Sequence, residues 1–168
     1  MVEYDEEYYR THDVDYFLTF RGNSLHIASN GSILPNMIEG IKNREVQLSV
    51  YRALNRGGFV EREVDVNRKG IIEILKGDGY QEVNDDDIEN YAETFVEFAK
   101  MGFQSYDTIG AELIQICKPR KERKGGGYTM PQNIPSVPDD YYEIKEEERY
   151  GGFSELSTRK KNPQGILL

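Results

Sequence analysis

The sequence predicts an α+β fold. It reads as a small single domain with a β-hairpin, further short strands and two or three helices, followed by a long extended C-terminal tail. Three observations lead there. Short runs dense in β-branched and aromatic residues are set apart by turn residues, as strands are. One later segment carries a clear helical stripe of apolar residues. Finally, five of the six prolines (Pro119, Pro131, Pro135, Pro138 and Pro163) fall beyond residue 118, while most Ile, Leu and Val falls before it. The chain of 168 residues therefore divides into an acidic N-terminal arm (1–13), an α+β core domain (14–118) and an extended tail rich in Pro, Gly and Tyr (119–168). A core of about 100 residues buries roughly two-thirds of its chain surface. It is expected to fold without the tail, so that truncation after Pro119 leaves a cooperative domain.

Each element has its own local reason. "VDYFLTF" (14–20), "RGNS" and "LHIAS" (25–29) read as two strands around a four-residue turn. Residues 36–54 fit either a helix or, through Val46, Leu48 and Val50, a strand; the helix formers Arg44, Glu45, Gln47, Arg52 and Ala53 favour the helix. Gly57 and Gly58 end it. "FVEREVDV" (59–66) alternates as a strand, and "GIIEILKGDGYQEV" is a short helix or strand closed by Gly77, Asp78 and Gly79. In "NDDDIENYAETFVEFAKMGF", Asn84 or a neighbouring Asp caps a helix whose stripe is Ile88, Tyr91, Ala92, Phe95 and Ala99. Gly102 stands at the left-handed stop. "AELIQIC" (111–117) is the last expected strand of the domain, ended by Pro119.

Composition narrows the function classes. The net charge is −9, and an acidic surface argues against general affinity for phosphate backbones. Only the short basic runs at 118–124 and 159–161 could touch nucleic acid, and runs of this kind more often act as solvated spacers or partners of acidic protein surfaces. The single cysteine, Cys117, excludes an internal disulfide and a multi-cysteine zinc site. The acidic start "MVEYDEEYYR" lacks the apolar run of a signal peptide, and no segment has the length of apolar sequence that spans a membrane. A soluble protein of a reducing compartment is expected, with no membrane partner.

Candidate chemistry is sparse. His26, between Leu25 and Ile27, could act as a base beside Asp13 or Asp15, but a strand histidine is far more commonly an ordinary surface or satisfied core residue; His12 lies in a polar arm. Cys117 and His26 could form a nucleophile pair, without any accompanying oxyanion loop. Asp85, Asp86 and Asp87 could hold a divalent cation, yet helix capping accounts for them. "KGDGY" and "KGGGY" match no phosphate-binding loop. No catalytic, cofactor or metal residue is assigned, and the protein is expected not to be an enzyme.

The aromatic content is the exception. There are twelve tyrosines and no tryptophan. Tyr128, Met130, Tyr141, Tyr142, Tyr150 and Phe153 sit in a tail with no helical or strand periodicity long enough to fold alone. Tyrosine offers large amphipathic area at low entropy cost. These six are therefore expected to bind partner protein subunits, the tail clamping neighbours in a large assembly. The alternation of charge, with +4 over 118–124, −4 over 139–150 and +2 over 151–168, would set register along such a tail.

The stretches "DYFLTFRGNSLHIASNGSILPNMI", "YAETFVEFAKMGFQSYD" and "LIQICKPR" resemble small proteins encoded by crAss-like bacteriophages. The shared pattern is a hairpin carrying Phe17, Gly22, His26, Ala28, Ser29 and Gly31, followed by Leu34 and Pro35, and it covers residues 14–118. The resemblance implies a structural protein of the virion in the neck or ring region below the portal, partnered by its own copies in a ring and by neighbouring virion proteins. It implies no catalytic residues. The competing reading is an acidic regulatory binder or inhibitor occupying a basic site on another protein.

Overall fold

A computed structural model describes residues 6–31, 43–58, 61–120, 134–145 and 149–158. The fold is α+β. A short helix α1 (Glu6–Thr11) leads into the hairpin β1 (Asp15–Phe20) and β2 (Asn23–Ala28). The turn between them has two residues, not four: Arg21 and Gly22 take φ of 50° and 77°, and Asn23 and Ser24 join the ladder opposite Phe20 and Thr19. Two successive left-handed residues match the twist of the strands, which a longer turn would have to recover elsewhere.

Helix α2 (Asn43–Arg56) resolves the ambiguous segment in favour of a helix and ends at Gly57 and Gly58, both at positive φ; residues 36–42 lie outside the described residues. The strand expected over 59–66 is reduced to β3 (Val64–Val66). The Glu63 carbonyl still accepts from Arg120 N–H at 2.8 Å, but the Arg62 N–H is drawn to the Lys100 carbonyl, 3.2 Å away; residues 59–60 are outside the description. "GIIEILKG" is a helix, α3 (Arg68–Gly77), begun by the Asn67 side chain accepting from Gly70 N–H. Helix α4 (Asp85–Lys100) starts with a reciprocal capping box between Asn84 and Asp87. Its acidic first turn faces the positive end of the helix dipole, and Gly102 follows its end at φ 110°.

The seven strands form one sheet in the order β1-β2-β4-β5-β7-β6, with β3 also pairing to β5 (Glu112–Pro119). Strand β4 (Gln104–Ile109), unforeseen in the sequence, pairs parallel to β2 and antiparallel to β5. The last two strands, β6 (Glu143–Ile144) and β7 (Glu155–Ser157), come from the tail. β7 pairs antiparallel to β5.

Side chains alternate across the sheet, and each face has a different cover. Phe17 packs with Val46 and Val50 of α2 and Phe98 of α4. Ile114 and Ile116 pack with Ile71, Leu75, Ile88 and Ala92 of α3 and α4. The opposite face presents Tyr16, Leu18, Phe20, Leu25, Ile27, Tyr106 and Leu113, and there Val137, Tyr141, Tyr142 and Leu156 from the tail complete the cluster, with Tyr8 of α1 at its margin. Backbone bonds fix the course. Thr19 N–H donates to Pro135 O and Val137 N–H to Thr19 O, so the tail lines the β1 edge, and Thr158 N–H donates to Ala111 O beyond β7.

This corrects the division at residue 118. The tail runs extended, but its described parts lie on their own domain. Tyr142 is 1% exposed, and Tyr141, Tyr150 and Phe153 are all below 9%. The physical reason is the uncovered sheet face: the three longer helices occupy one side only. Burying a large apolar side chain stabilises by roughly 1.5–3 kcal/mol. Val137, Tyr141, Tyr142, Tyr150, Phe153 and Leu156 together rival the ~5–15 kcal/mol that holds a whole domain folded. Truncation after Pro119 is therefore expected to abolish cooperative urea unfolding, and Tyr142→Ser in the full chain to lower the melting temperature markedly. A truncated chain that still unfolded in one sharp transition would show that the tail is dispensable to the core.

Candidate functional site

The six side chains expected to bind partners divide. Tyr128 and Met130 lie outside the described residues. Tyr141, Tyr142, Tyr150 and Phe153 are buried within the chain, with Tyr142 edge-on to Phe20 at 5.3 Å between ring centroids and the Tyr150 hydroxyl donating to Glu73 at 2.9 Å. As anchors for a neighbouring subunit these four are corrected: they are core residues.

His26 and Asp15 come together diagonally across the hairpin, His26 standing opposite Phe17 and Asp15 opposite Ala28. His26 Nε2 lies 2.7 Å from Asp15 Oδ1, and Nδ1 lies 3.2 Å from Ser105 Oγ. The line Asp15–His26–Ser105 has the composition of a catalytic triad but not its wiring. In a triad the carboxylate takes the Nδ1 proton and the serine faces Nε2; here the two are exchanged. The Ser105 hydroxyl donates to the Phe95 carbonyl at 3.1 Å, so its proton is engaged with α4. His26 is 1% exposed and Ser105 fully buried, under the rings of Phe17, Phe95 and Phe98. This arrangement ties β1, β2, β4 and α4 together and offers no nucleophile to a substrate. Asp15 is further held by Tyr51 Oη–H at Oδ2, and its carbonyl accepts from Asn43 and Gln47 side chains. Burial alone would raise the Asp15 carboxyl, but hydrogen bonds from His26 and Tyr51 and the His26 charge outweigh it and hold the carboxyl below its ordinary value.

Cys117 is buried beside this line. Burial pushes its thiol up to about 12, against a smaller pull from Ser105, so the thiolate needed for nucleophilic chemistry is strongly disfavoured. Asp85, Asp86 and Asp87 form the first turn of α4: Asp87 closes the capping box and Asp85 pairs with Arg68. Among the described residues no three His, Cys, Asp or Glu side chains gather as metal ligands would.

Asp107, on β4, was missed in the sequence. It is buried and accepts from Tyr91 of α4 and, at 2.9 Å, from Thr108 N–H. Burial foremost, then the charge of Asp13, raises its carboxyl to about 6, although the Tyr91 hydrogen bond pulls it down. The signal available was Tyr91 in the apolar stripe of α4, which reaches the sheet, since a buried phenol usually finds a hydrogen-bond partner.

One surface feature bears on partners. β6 ends the strand order, and among the described residues no strand lies on its outer side. Lys145 N–H donates inward to Glu155 O. With Ile144 opposite Leu156, strand alternation turns the Ile144 N–H and C=O outward. Both β6 residues are exposed, Ile144 at 39%. No helix among the described residues is long and apolar enough to cross a membrane.

Comparison with family models, with curated proteins and with solved structures finds no match.

Asp15 and Asp107 make opposite contributions to pH dependence. The lowered Asp15 carboxyl stabilises the fold above its unfolded value near 4 and ceases to do so as pH falls through its folded value. The raised Asp107 carboxyl binds its proton more tightly when folded, so stability is lost as pH rises from about 4 to about 6. Asp107→Asn copies the protonated acid. It is expected to stabilise the protein by about 1–3 kcal/mol at neutral pH and by nearly nothing near pH 4, read as the shift of the urea midpoint at each pH. An equal effect at both pH values would show that Asp107 is not ionised at a cost.

Proposed function

We propose that this chain is a non-enzymatic structural protein, one subunit of a larger protein assembly, and that the assembly is a tailed-bacteriophage virion, in its neck or ring region. The observation that carries the assembly reading is the β6 edge, which no other strand among the described residues covers and where a backbone donor and acceptor beside an exposed isoleucine face outward, as a strand from a neighbouring chain would require. The phage setting rests on the resemblance over residues 14–118. Contacts at such an edge are individually weak, and a ring multiplies them through high effective concentration. The acidic surface, net −9, keeps the free subunits apart until specific pairing is made and favours partners with basic faces. In this reading the protein is found in the virion, assembled in the host cytoplasm, with no cofactor.

Ile144→Pro tests the edge directly. Proline removes the outward donor at a position where no ladder bond to β7 is lost, so the fold is expected to survive. Ile144→Lys is a second variant, placing a charge on the edge. Native mass spectrometry of the purified chain is expected to show oligomers that both variants weaken at unchanged melting temperature. Mass spectrometry of purified source particles is expected to find the chain at fixed stoichiometry. A chain that stays monomeric at all concentrations and is absent from particles would overturn the proposal.

A further inference from the structure

We propose that the cavity between the hairpin turn and the tail is a binding site for a carboxylate carried on an apolar body. The cavity has a volume of about 250 Å³, and its lining combines apolar residues, Phe20, Leu25 and Leu156 among them, with polar groups. The polar groups are internally ordered. Tyr106 Oη and Ser154 Oγ lie 3.1 Å apart, Ser154 Oγ–H donates to Gln115 Oε1 at 3.3 Å, and Gln115 Nε2–H donates to Gln104 Oε1 at 3.3 Å.

Two cations, Arg21 and Lys118, line the same space. Some neighbouring cations are paired with acids: Arg120, two residues from Lys118, bonds Asp65 at 2.6 Å and Glu63 at 3.0 Å, and Lys145 bonds Glu112 at 2.9 Å. Among the described residues, Arg21 and Lys118 bond backbone carbonyls and no carboxylate: Asp139 O at 2.8 Å and Gly152 O at 3.3 Å. Each is also steadied over an aromatic ring, Arg21 at 5.3 Å from the Phe20 centroid and Lys118 at 4.8 Å from that of Phe153. A carbonyl uses one donor and brings no countercharge, although Asp65, shared with Arg120, stands opposite Lys118 in the β3–β5 ladder. The tail therefore fixes two cations at one cavity and spares most of their donors, the arrangement that favours an anionic head group at low ordering cost. The apolar lining selects a ligand with a hydrocarbon portion over a bare ion. The carboxylate could come from a small organic acid or from a glutamate or aspartate of a partner chain lying beside apolar residues.

The test uses the full chain and amide chemical shifts of Asn23, Gln104 and Gly152. Hexanoate is expected to shift them saturably, and neutral hexanamide not to. The double variant Arg21→Gln, Lys118→Gln is expected to weaken hexanoate binding by about tenfold or more, as loss of charge-assisted hydrogen bonds should, with the melting temperature unchanged. An acetylated, amidated hexapeptide bearing one glutamate among leucines separates the sources: tighter binding than hexanoate assigns a partner chain, weaker binding a small acid. Inorganic phosphate binding as tightly as hexanoate would overturn the apolar half of the proposal. Hexanamide binding equally well, or no saturable shift with any probe, would overturn it altogether. Should the double variant fold poorly, the wild-type comparison of hexanoate with hexanamide decides alone. These outcomes are read on the single chain, at concentrations where it is monomeric.

Discussion

The rest of the structure depends on covering the second face of the sheet. Strands β1, β2, β4 and β5 place Tyr16, Leu18, Phe20, Leu25, Ile27, Tyr106 and Leu113 on the side away from the helices. Left in water, that face would forfeit most of the burial that offsets chain entropy in a domain of this size. The tail supplies the cover with Val137, Tyr141, Tyr142 and Leu156. It also reaches the helical layer with Tyr150 and Phe153. What composition marks as an unstable appendage thus supplies, in its described parts, a missing layer of the core, and Tyr141, Tyr142 and Tyr150 pack there.

The helix-facing side solves a different problem. β2 and β4 carry His26, Ser105 and Asp107, polar groups that strongly destabilise a core unless partnered. Each finds its partner across an element boundary: His26 with Asp15, Ser105 with the Phe95 carbonyl, Asp107 with Tyr91. These bonds fix how α4 sits on the sheet more narrowly than apolar contact would, since a slide along the sheet leaves buried groups unsatisfied. The two carboxylates nevertheless lie in opposing environments. Asp15 is drawn towards ionisation by His26 and Tyr51, and Asp107 is held back from it by burial and by Asp13.

Much of the domain was legible where local signals agreed. Helix α4 could be read from Asn84 to Gly102 because cap, acidic first turn, apolar stripe and glycine stop all point one way. The hairpin was legible but not its turn, since Asn23 and Ser24 are equally good as turn and as ladder residues, and tertiary register decided between them. Strand β4, "QSYDTI", was not legible: its Ser, Asp and Gln become strand residues only through partners on distant elements. The tail's role was missed for a related reason, although a signal existed. In "DYFLTF", Tyr16, Phe17 and Leu18 are consecutive apolar residues, the mark of a strand buried on both faces. Counting covers for both faces would have demanded a second layer, and the tail was the longest unassigned segment that could provide it. Neither cation of the proposed cavity could be read from sequence, because each is placed by a tail carbonyl more than thirty positions away.

The tail's two anchored segments place the functional features side by side. Asp139 and Gly152 hold Arg21 and Lys118, and between those two positions lies β6 with its open edge. Ile144 belongs to both: its side chain lines the cavity and its backbone faces outward from the sheet. A ligand in the cavity and a strand at the edge would therefore bear on the same residue. Any change that one makes in the affinity of the other must be returned in equal measure, because linkage between two binding sites is reciprocal.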